Sequence, residues 1–286
     1  MIKVVSLFDG IACGLTALKR AGIEVGEYHA FEIDKHAIKV AKKNHPEIIY
    51  HGSVVNFDFS ILKGADLLIG GSPCQGFSIA GKQLAFDDER SKLFFEFVRA
   101  KKEIKPKYFL LENVVMKKEY EAAISKLMGC YPTLINSALV SAQNRQRLYW
   151  CNWKVRQPRD RGIYLKDVIE DGFVDKSKSW CILEAWNRFP VSVQAVINGY
   201  NRSMMPIVFS TSNCTFDEGW RELSINEVEK LQTIAKGYTK RTSPKRAKGL
   251  IGNGWTIDVI SHIFKELYAP TENQENCDPI FQQELF

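Results

Sequence analysis

A cysteine lies in the glycine- and proline-rich segment Gly70–Ser78, directly after the apolar run ADLLIG. A loop at the carboxyl end of a parallel strand faces a cleft, so Cys74 is expected to be presented there and not packed in a core. A free thiol is only about a few per cent ionised at neutral pH, and a nucleophilic cysteine therefore needs activation by its surroundings. The pattern indicates nucleophilic catalysis, although an isolated cysteine is more often an inert core residue.

Charged side chains follow two other predicted strands. Glu112 lies near the end of YFLLENV, and in a parallel sheet its carboxylate would emerge beside Cys74. The segment QNRQR leads into RLYWCNW and carries Arg145 and Arg147, which alternate and therefore share one face of a strand. A thiol, an acid and two guanidinium groups are predicted to meet at one edge of the sheet.

A second turn, Asp9 to Gly14, follows the first apolar run, IKVVSLF. Glu32 comes 18 residues after Gly14, at the end of the next predicted strand. An acid at this position can accept hydrogen bonds from both ribose hydroxyls of a nucleoside cofactor. Taken alone, two glycines near the end of a strand are more often only an ordinary tight turn.

Strand and helix patterns alternate through the first half of the chain. Buried strands are predicted at 2–8, 27–33, 48–51, 65–70 and 108–114, then at TLINSALV and RLYWCNW, with helices at 15–20, 34–43, 88–104 and 119–128 between them. Asp34 is the expected cap of the second helix. This repetition predicts an α/β fold with a doubly wound, mostly parallel sheet.

The alternation breaks down between residues 157 and 220, which predicts a small, irregular domain of strands and loops. A helix at 223–234 follows, with a capping box of Ser224 and Glu227, and a last helix at 255–268. The predicted division is a catalytic and cofactor-binding domain at 1–156, a second domain at 157–220, a return to the first at 221–270 and a flexible tail at 271–286.

Composition narrows the class of protein. The chain is 45% hydrophobic and 25% charged, as expected of a soluble globular protein, and no apolar run approaches the roughly 18 residues that span a bilayer. The start MIKVVSLFDG is not that of a signal peptide. Seven cysteines without a CxxC pair favour free thiols in a reducing cytosol, and the five histidines lack metal-ligand spacing, so no metal is expected.

Positive charge is concentrated in two basic blocks, residues 143–161 and 236–248. They carry net charges of +5 and +6, which leaves −5 for the rest of a chain whose total is +6. Such a distribution is typical of a polyanion-binding surface, and equally of two solvated basic loops.

Six motifs together resemble the C5-cytosine DNA methyltransferase family. In the family's order they are FDGIACG, GSPCQGFSIAGKQ, ENV, Gln-x-Arg-x-Arg, RELSINEVEKLQT and GNGW, and they cover roughly residues 3–156 and 221–268. FDGIACG and the terminal GW are most similar to the animal de novo enzymes, whereas the Gln after the cysteine is the common bacterial form. The resemblance implies the Rossmann-like fold of S-adenosylmethionine-dependent methyltransferases.

The resemblance also implies a reaction. Cys74 would add to C6 of a cytosine flipped out of the duplex, Glu112 would hold N3 and the exocyclic amine, and Arg147 would bind O2. Arg145 would hold a loop or a phosphate, and residues 76–86 would close over the base as a lid. The methyl donor would be S-adenosyl-L-methionine.

By the same resemblance, Phe8 and Ile33 would contact the cofactor's adenine, Gly10 and Gly14 its methionine end, and Glu32 its ribose. The full implied cofactor set is Phe8, Asp9, Gly10, Ile11, Gly14, Glu32, Ile33, Ser53, Val54, Pro73, Leu93, Asn253 and Trp255. Two positions depart from the family pattern: Ala12-Cys13 replaces a glycine pair of many members, and Ser53 replaces the usual acid.

Residues 157–220 occupy the position of the family's target-recognition domain, which reads base edges in double-stranded DNA. The expected DNA contacts are Gln75, Ser78, Ala80, Lys82, Gln143, Arg188, Arg202, Lys240, Arg241 and Lys245, with Asn198 and Asn201 as further candidates. The peptide Gln282–Phe286 is similar to sequences that dock on the replication sliding clamp, although a disordered tail is favoured.

The expected function is thus a DNA (cytosine-5-)-methyltransferase in the cytoplasm of a bacterial or phage-infected cell. With no fused nuclease in 286 residues, it would be either solitary or the partner of a cognate restriction endonuclease. One alternative is an RNA (tRNA) cytosine-5 methyltransferase, against which the long recognition segment argues. The other is a non-catalytic DNA-binding homologue, which would not be expected to keep Cys74, Glu112 and Arg147.

Overall fold

Seven strands form one mixed sheet in the structure, a computed structural model that describes residues 1–72, 89–187, 190 and 192–268. The strands are β1 (Ile2–Leu7), β2 (Val25–Phe31), β3 (Ile49–Gly52), β4 (Leu67–Gly71), β5 (Tyr108–Val114), β6 (Thr133–Asn136) and β7 (Gln146–Cys151). Their order is β3-β2-β1-β4-β5-β7-β6, in which β1 to β5 run parallel and β7 is antiparallel to both of its neighbours. The predicted mostly parallel sheet is confirmed.

Helices cover both faces of this sheet. Those before and after the 157–220 segment are α1 (Cys13–Arg20), α2 (Lys35–Asn44), α3 (Glu89–Ile104), α4 (Lys118–Met128), α6 (Ile225–Leu231), α7 (Pro244–Asn253) and α8 (Ile257–Glu266), and α5 (Val193–Asn201) lies within it. Neighbouring strand residues alternate between two cores: Leu110 packs with α1, α2 and α8, and Leu111 packs with α3 and α4. Burial on both faces explains why these strands are continuous apolar runs.

Two predicted caps are confirmed. Asp34 accepts a hydrogen bond from the backbone of His36 at the start of α2. Ser224 and Glu227 form the reciprocal capping box of α6. Each cap pairs backbone N–H groups that the first turn of a helix cannot pair internally.

The strand predicted at TLINSALV is too long. It ends at Asn136, whose side-chain oxygen accepts hydrogen bonds from the backbone of Ala138 and Arg145, both at 3.0 Å. These contacts bend the chain into the short 3-10 helix Ser137–Leu139. Local side-chain bonding of this kind competes with continuation of a strand.

The 157–220 segment contains more helix than the pattern predicted. Besides several short 3-10 turns, it includes α5, which Ser192 caps, and the first strand of a hairpin, β8 (Ile207–Phe209) with β9 (Trp220–Glu222). Val196, Tyr200, Ile207 and Phe209 form a small core there. The division of the chain at residues 157 and 220 remains a prediction, and β9 continues two residues beyond the second boundary.

Helix α7 lies inside the second basic block. Ser243 accepts a hydrogen bond from the Arg246 backbone, and Pro244 occupies the first turn. Both features are start signals for a helix. In the described part of the chain, no helix has the length and apolarity to cross a membrane, and no group of three or more metal-ligating side chains occurs.

Candidate active site

A cavity of about 320 Å³ opens at the carboxyl ends of β1, β4 and β5. Such a volume lies within the range of small-molecule sites, and this edge of a doubly wound sheet is where ligands bind. Seven residues proposed from the sequence line it: Phe8, Gly10, Glu32, Glu112, Arg145, Arg147 and Asn253. Residues from five separate stretches of sequence are therefore brought together here.

Glu112 is the acid at the base of this cavity. It pairs in register with Gly71 of β4 and is 8% exposed. Its Oε1 lies 3.0 Å from Arg147 Nε, and its Oε2 accepts a hydrogen bond from Trp255 Nε1 at 3.1 Å. Both carboxylate oxygens are thus fixed in direction by donors from distant parts of the chain.

Gly71 leaves the space that this arrangement needs. A Cβ at position 71 would lie 2.8 Å from Glu112 Oε2 and 2.9 Å from Trp255 Nε1. Neither atom can retreat without breaking the hydrogen bond between them. A side chain at position 71 is therefore incompatible with the Glu112–Trp255 contact.

Arg147 reaches Glu112 diagonally across the antiparallel β5–β7 pair. The register partner of Glu112 is Tyr149, two residues further along β7. Diagonal positions are about 7–8 Å apart at Cα, a distance that a long arginine spans. Arg147 also donates to the carbonyl of Gln146 at 2.8 Å.

Arg145 is 4% exposed, and its hydrogen bonds link separate segments of the chain. Its guanidinium donates to the carbonyls of Ile182 at 3.1 Å, Gly252 at 3.2 Å and Gly254 at 2.9 Å. The predicted role of holding a loop is compatible with these contacts, which bind the end of α7 to the start of β7.

Cys181 is a residue of the site that sequence reasoning missed. Its sulfur lies 3.3 Å from Arg145 Nη1 and 3.7 Å from Arg147 Nη2. Burial alone would raise the pKa of this thiol, but the two guanidinium charges outweigh burial and lower it. Nothing in its sequence neighbourhood indicated the contact, because the arginines lie more than 30 residues away.

The turn after β1 forms the other side of the cavity. Phe8, Gly10 and Ala12 all have positive φ angles, at 58°, 59° and 61°. Glycine adopts this conformation without strain, whereas Phe8 and Ala12 are held in it by their surroundings. Three left-handed residues in alternation fold the backbone tightly below the cavity.

Glu32 organises this turn and β2 through its carboxylate. Oε2 accepts a hydrogen bond from Gly10 N at 2.8 Å, and Oε1 accepts from Ile33 N at 2.7 Å and Asp34 N at 2.8 Å. A carboxylate oxygen can accept more than one hydrogen bond, so both retain capacity for ligand hydroxyls. Ile33 is 74% exposed beside it.

Asp9 is buried beside the turn and is not among the residues lining the cavity. Its Oδ1 accepts hydrogen bonds from Ser6 and Tyr28, both at 2.7 Å, whereas Oδ2 has no partner in the described structure. Burial raises the pKa of Asp9 to about 7. The carboxyl group is therefore partly protonated at neutral pH.

Five other residues of the implied cofactor set lie away from the cavity walls. Ile11 and Val54 are core residues, Ser53 is exposed, Leu93 is half-buried, and Gly14 faces the sheet. A Cβ on Gly14 would lie 2.4 Å from Ile69 Cδ1, so close packing of α1 on the sheet accounts for this glycine. Trp255 contacts the site through Glu112.

Gln143, an expected DNA contact, lies in the protein interior in this structure. Its side chain is fully buried: Nε2 donates to Leu231 O at 3.1 Å and Gln232 Oε1 at 3.0 Å, and Oε1 accepts from Ile182 N at 2.8 Å. Its polar atoms thus join β7 to the end of α6. Arg202, Lys240, Arg241 and Lys245 are exposed, as a DNA contact requires, and so are Asn198 and Asn201.

Part of the positive charge in the basic blocks is neutralised by acids from elsewhere in the chain. Ion pairs join Lys236 to Glu170, Arg246 to Asp34, Lys248 to Glu222, Arg156 to Glu266 and Arg161 to Asp258. These five cations are therefore paired with acids, although the side chains of Lys236, Arg156 and Arg161 stay largely exposed.

Several predicted residues lie outside the described ranges. They are the nucleophile Cys74, Pro73, Gln75, Ser78, Ala80, Lys82, the remainder of the proposed lid 76–86, Arg188 and the tail peptide Gln282–Phe286. The described chain ends at Ser72 before the Cys74 segment. At this point Asn113, the residue after Glu112 on β5, donates from Nδ2 to Ser72 Oγ at 3.2 Å. The hydrogen bond holds Ser72 close to Glu112.

Solved structures with the same fold include a DNMT2 mutant from Spodoptera frugiperda, 20% identical with a TM-score of 0.66 over 94% of this chain and 100% of that one. A putative DNA modification methyltransferase encoded in an Escherichia coli prophage is 21% identical, with a TM-score of 0.61 over 94% of this chain and 99% of that one. At these identities the likeness concerns the fold alone.

Two curated relatives are closer in sequence. Type II methyltransferase M1.ScrFI of Lactococcus lactis subsp. cremoris is 35% identical over 62% of this chain and 52% of its own length. Orphan methyltransferase M.SPRI of Bacillus phage SPR is 37% identical over 52% of this chain and 37% of its own length. The chain thus spans about half or less of the length of these relatives.

The sequence profile of the family described as C-5 cytosine-specific DNA methylase matches residues 2–180, well over half of the chain. The matched range includes β1 to β7 and every catalytic residue that the motifs implied. The chain therefore belongs to the C-5 cytosine-specific DNA methylase family.

Proposed function

We propose that the protein is a DNA (cytosine-5-)-methyltransferase that transfers the methyl group of S-adenosyl-L-methionine to a flipped cytosine. The observation that carries this proposal is the position of Glu112. Its carboxylate lies at the base of a ligand-sized cavity, held by Arg147 and Trp255, and Gly71 directly opposite it leads into the segment with Cys74.

The acid and the arginine suit the two polar sides of a cytosine ring. Arg147 contacts Glu112 through Nε, and a guanidinium, with five N–H donors, can donate to the O2 carbonyl while bound to a carboxylate. Glu112 can accept a hydrogen bond from the exocyclic amine and share a proton with N3. Donation to O2 and protonation of N3 both draw electrons from C6, which makes that carbon electrophilic.

Cys74 is the proposed nucleophile. Its thiolate forms a bond to C6, and the electron pair of the C5–C6 double bond moves to C5 while N3 takes a proton from Glu112. When bound, S-adenosylmethionine supplies the methyl group that C5 takes up. Loss of the C5 proton to a base then restores the double bond and expels the Cys74 thiolate, and N3 returns its proton to Glu112.

The residues around Glu32 fit such a nucleoside cofactor. Phe8, Gly10, Glu32 and Asn253 line one side of the cavity. The Glu32 oxygens are fixed by three backbone N–H groups yet keep accepting capacity for ribose hydroxyls. Exposed Ile33 offers an apolar surface for adenine, and the compact turn at Gly10 leaves room for the methionine end.

Double-stranded DNA is the proposed substrate, with residues 157–220 as the target-recognition segment. Lys240, Arg241 and Lys245 are exposed near the start of α7, whose other end carries Gly252 and Asn253 into the cavity. Lys245 thus lies in the first turn of the helix that borders the proposed active site, and Lys240 and Arg241 lie just before that helix. Phosphate contacts of this kind orient a duplex without reading its sequence.

The relatives named orphan and type II methyltransferases suggest two settings for the enzyme: solitary, or paired with a restriction endonuclease. We further propose cytoplasmic action in a bacterial or phage-infected cell. Docking of Gln282–Phe286 on a sliding clamp is retained as a weaker proposal from the peptide's sequence.

Tritiated methyl transfer to unmethylated genomic DNA and, in parallel, to bulk tRNA tests the proposal. We expect label in DNA as 5-methylcytosine within one short sequence context, identified by base analysis and bisulfite sequencing. Label in tRNA alone would establish the RNA alternative. Absence of label from both substrates, with S-adenosylmethionine bound, would support a non-catalytic homologue.

A further inference from the structure

The sulfur of Cys181 lies between the guanidinium groups of both arginines of the site. It is 3.3 Å from Arg145 Nη1 and 3.7 Å from Arg147 Nη2, and the residue is half-buried. Each contact places an N–H donor against sulfur. Cys181, a residue of the 157–220 segment, therefore contacts both Arg147 in β7 and Arg145 in the turn before that strand.

The charges around this sulfur are unbalanced if it is a neutral thiol. Arg147 pairs with Glu112, but Arg145 is 4% exposed, and its other acceptors are backbone carbonyls. Among the described residues, no carboxylate forms an ion pair with Arg145. Since a buried cation without a counter-charge is costly, an anion is expected beside it.

Cys181 is the group in contact with Arg145 that can become this anion. Burial opposes ionisation of the thiol, but the charges of Arg145 and Arg147 lower its pKa in spite of burial. The protonated thiol can donate to Ile182 O at 3.5 Å, but that carbonyl also accepts from Arg145 at 3.1 Å and so stays paired when the thiol loses its proton.

The other titratable groups nearby do not take this role. Burial raises the pKa of Tyr149, so its phenol stays neutral. Burial likewise raises the pKa of Cys13 to about 12, so that thiol keeps its proton. Glu112 is engaged by Arg147 and Trp255.

We propose that Cys181 is a positioning residue whose thiolate holds Arg145 and Arg147, so that Arg147 meets both Glu112 and the target base. The inference rests on the proposed function for its consequence in catalysis. Because Cys181 belongs to the 157–220 segment, the same contact ties the proposed recognition segment to the catalytic arginines.

The ionisation state can be measured by iodoacetamide alkylation of the full chain across a pH series, followed by mass spectrometry of each cysteine-containing peptide. Cys214 is the internal control: it is also half-buried, but burial and Asp175 raise its pKa. At about pH 7 we expect Cys181 to react roughly tenfold faster than Cys214. Arg147→Gln should shift the Cys181 profile to higher pH. Equal rates at Cys181 and Cys214 would overturn the proposal.

The consequence in catalysis is tested with Cys181→Ser, which keeps a hydrogen-bond acceptor and loses the charge. We expect kcat to fall about tenfold with the KM for S-adenosylmethionine within about twofold, because only the base-binding side is disturbed. In wild type, kcat should fall as the pH drops through the range in which alkylation shows Cys181 to become protonated. Cys181→Ser should lack this fall.

An unchanged kcat in Cys181→Ser would overturn the positioning role even if the thiol is ionised. A wild-type chain that transfers no methyl group would contradict the proposed function instead, and the alkylation profile would still decide the charge of the sulfur. The two failures are therefore distinguishable.

Discussion

Trp255 donates a hydrogen bond from its indole nitrogen to Glu112 Oε2 at 3.1 Å, across 143 residues of sequence. The resemblance assigned Trp255 to the cofactor pocket and Glu112 to the base. The structure instead links them directly, so the terminal GNGW segment helps to orient the proposed catalytic acid. This contact also explains why a glycine occupies position 71.

Trp255→Phe removes this donor while keeping an aromatic ring. We expect kcat to fall about tenfold, because one oxygen of Glu112 loses the partner that orients it. Trp153→Phe is a matched control: its indole donates to Ile263 O at the same 3.1 Å, but in the core and away from the cavity. Steady-state methyl transfer by both variants checks the prediction. Equal losses of activity would show that folding alone is affected.

Glu32→Gln tests the acid of the proposed cofactor site. In wild type, one Glu32 oxygen accepts from Gly10 N and the other from Ile33 N and Asp34 N. The NH2 group of a glutamine would have to replace one of these oxygens, so a hydrogen-bond donor would face a backbone donor. We expect the free energy of unfolding to fall by about 1–3 kcal/mol and S-adenosylmethionine affinity to fall at least about tenfold. Calorimetric titration and urea unfolding measure both. Exposed Glu24→Gln is the control, and unchanged cofactor affinity in Glu32→Gln would contradict the ribose assignment.

Asp9→Asn tests a pH dependence of stability. Burial raises the pKa of Asp9 from 3.8 to about 7, so the unfolded chain loses this proton at lower pH than the folded protein. Protonation of Asp9 therefore stabilises the fold at low pH, and this stabilisation is lost as pH rises towards 7. The loss amounts to about 4 kcal/mol. Asp9→Asn should lack this fall, so its stability relative to wild type should increase with pH.

Urea unfolding at about pH 5 and about pH 8 measures this difference. The control is Asp58→Asn, because hydrogen bonds from Ser60 lower the pKa of exposed Asp58 and it stays ionised across this range. The stability difference between that variant and wild type should not change with pH. A pH-independent difference for Asp9→Asn as well would show that Asp9 is ionised in the folded protein.

The exposed cations near α7 should determine how DNA binding depends on salt. Lys240→Gln, Arg241→Gln and Lys245→Gln are each expected to reduce the slope of log affinity against log salt by about 1 if the residue contacts a phosphate. Lys236→Gln is the control, because Lys236 is paired with Glu170. Fluorescence anisotropy with duplex DNA measures the slopes. The same slope in all four variants and wild type would place the DNA elsewhere.

The sheet could be predicted from the sequence because strands buried on both faces appear as continuous apolar runs bounded by turns. Helix α7 was not predicted as a helix. Its lysines, arginine and two glycines obscure the apolar pattern, although Ser243-Pro244 is a start signal that was present. Lys248 is buried in it through a contact with Glu222 that only the folded chain creates.

The sequence predicted those residues of the site that belong to the recognised motifs. Glu112, Arg147 and Glu32 line the cavity as expected. A motif gives the residue type without its burial, so the sequence could not show that the Gln143 amide contacts Leu231 and Gln232. Cys181 could not be identified, because its proximity to Arg145 depends on how the irregular 157–220 segment folds.

The most direct test of the central claim is covalent trapping on duplex DNA in which cytosine is replaced by 5-fluorocytosine. Fluorine cannot leave as a cation, so the Cys74–C6 bond persists after methyl transfer. With S-adenosylmethionine present, we predict a denaturation-stable protein–DNA complex for wild type, a strongly reduced yield for Glu112→Gln and none for Cys74→Ala. A complex that persists in Cys74→Ala, or the absence of any complex from a wild type that binds both ligands, would contradict the account.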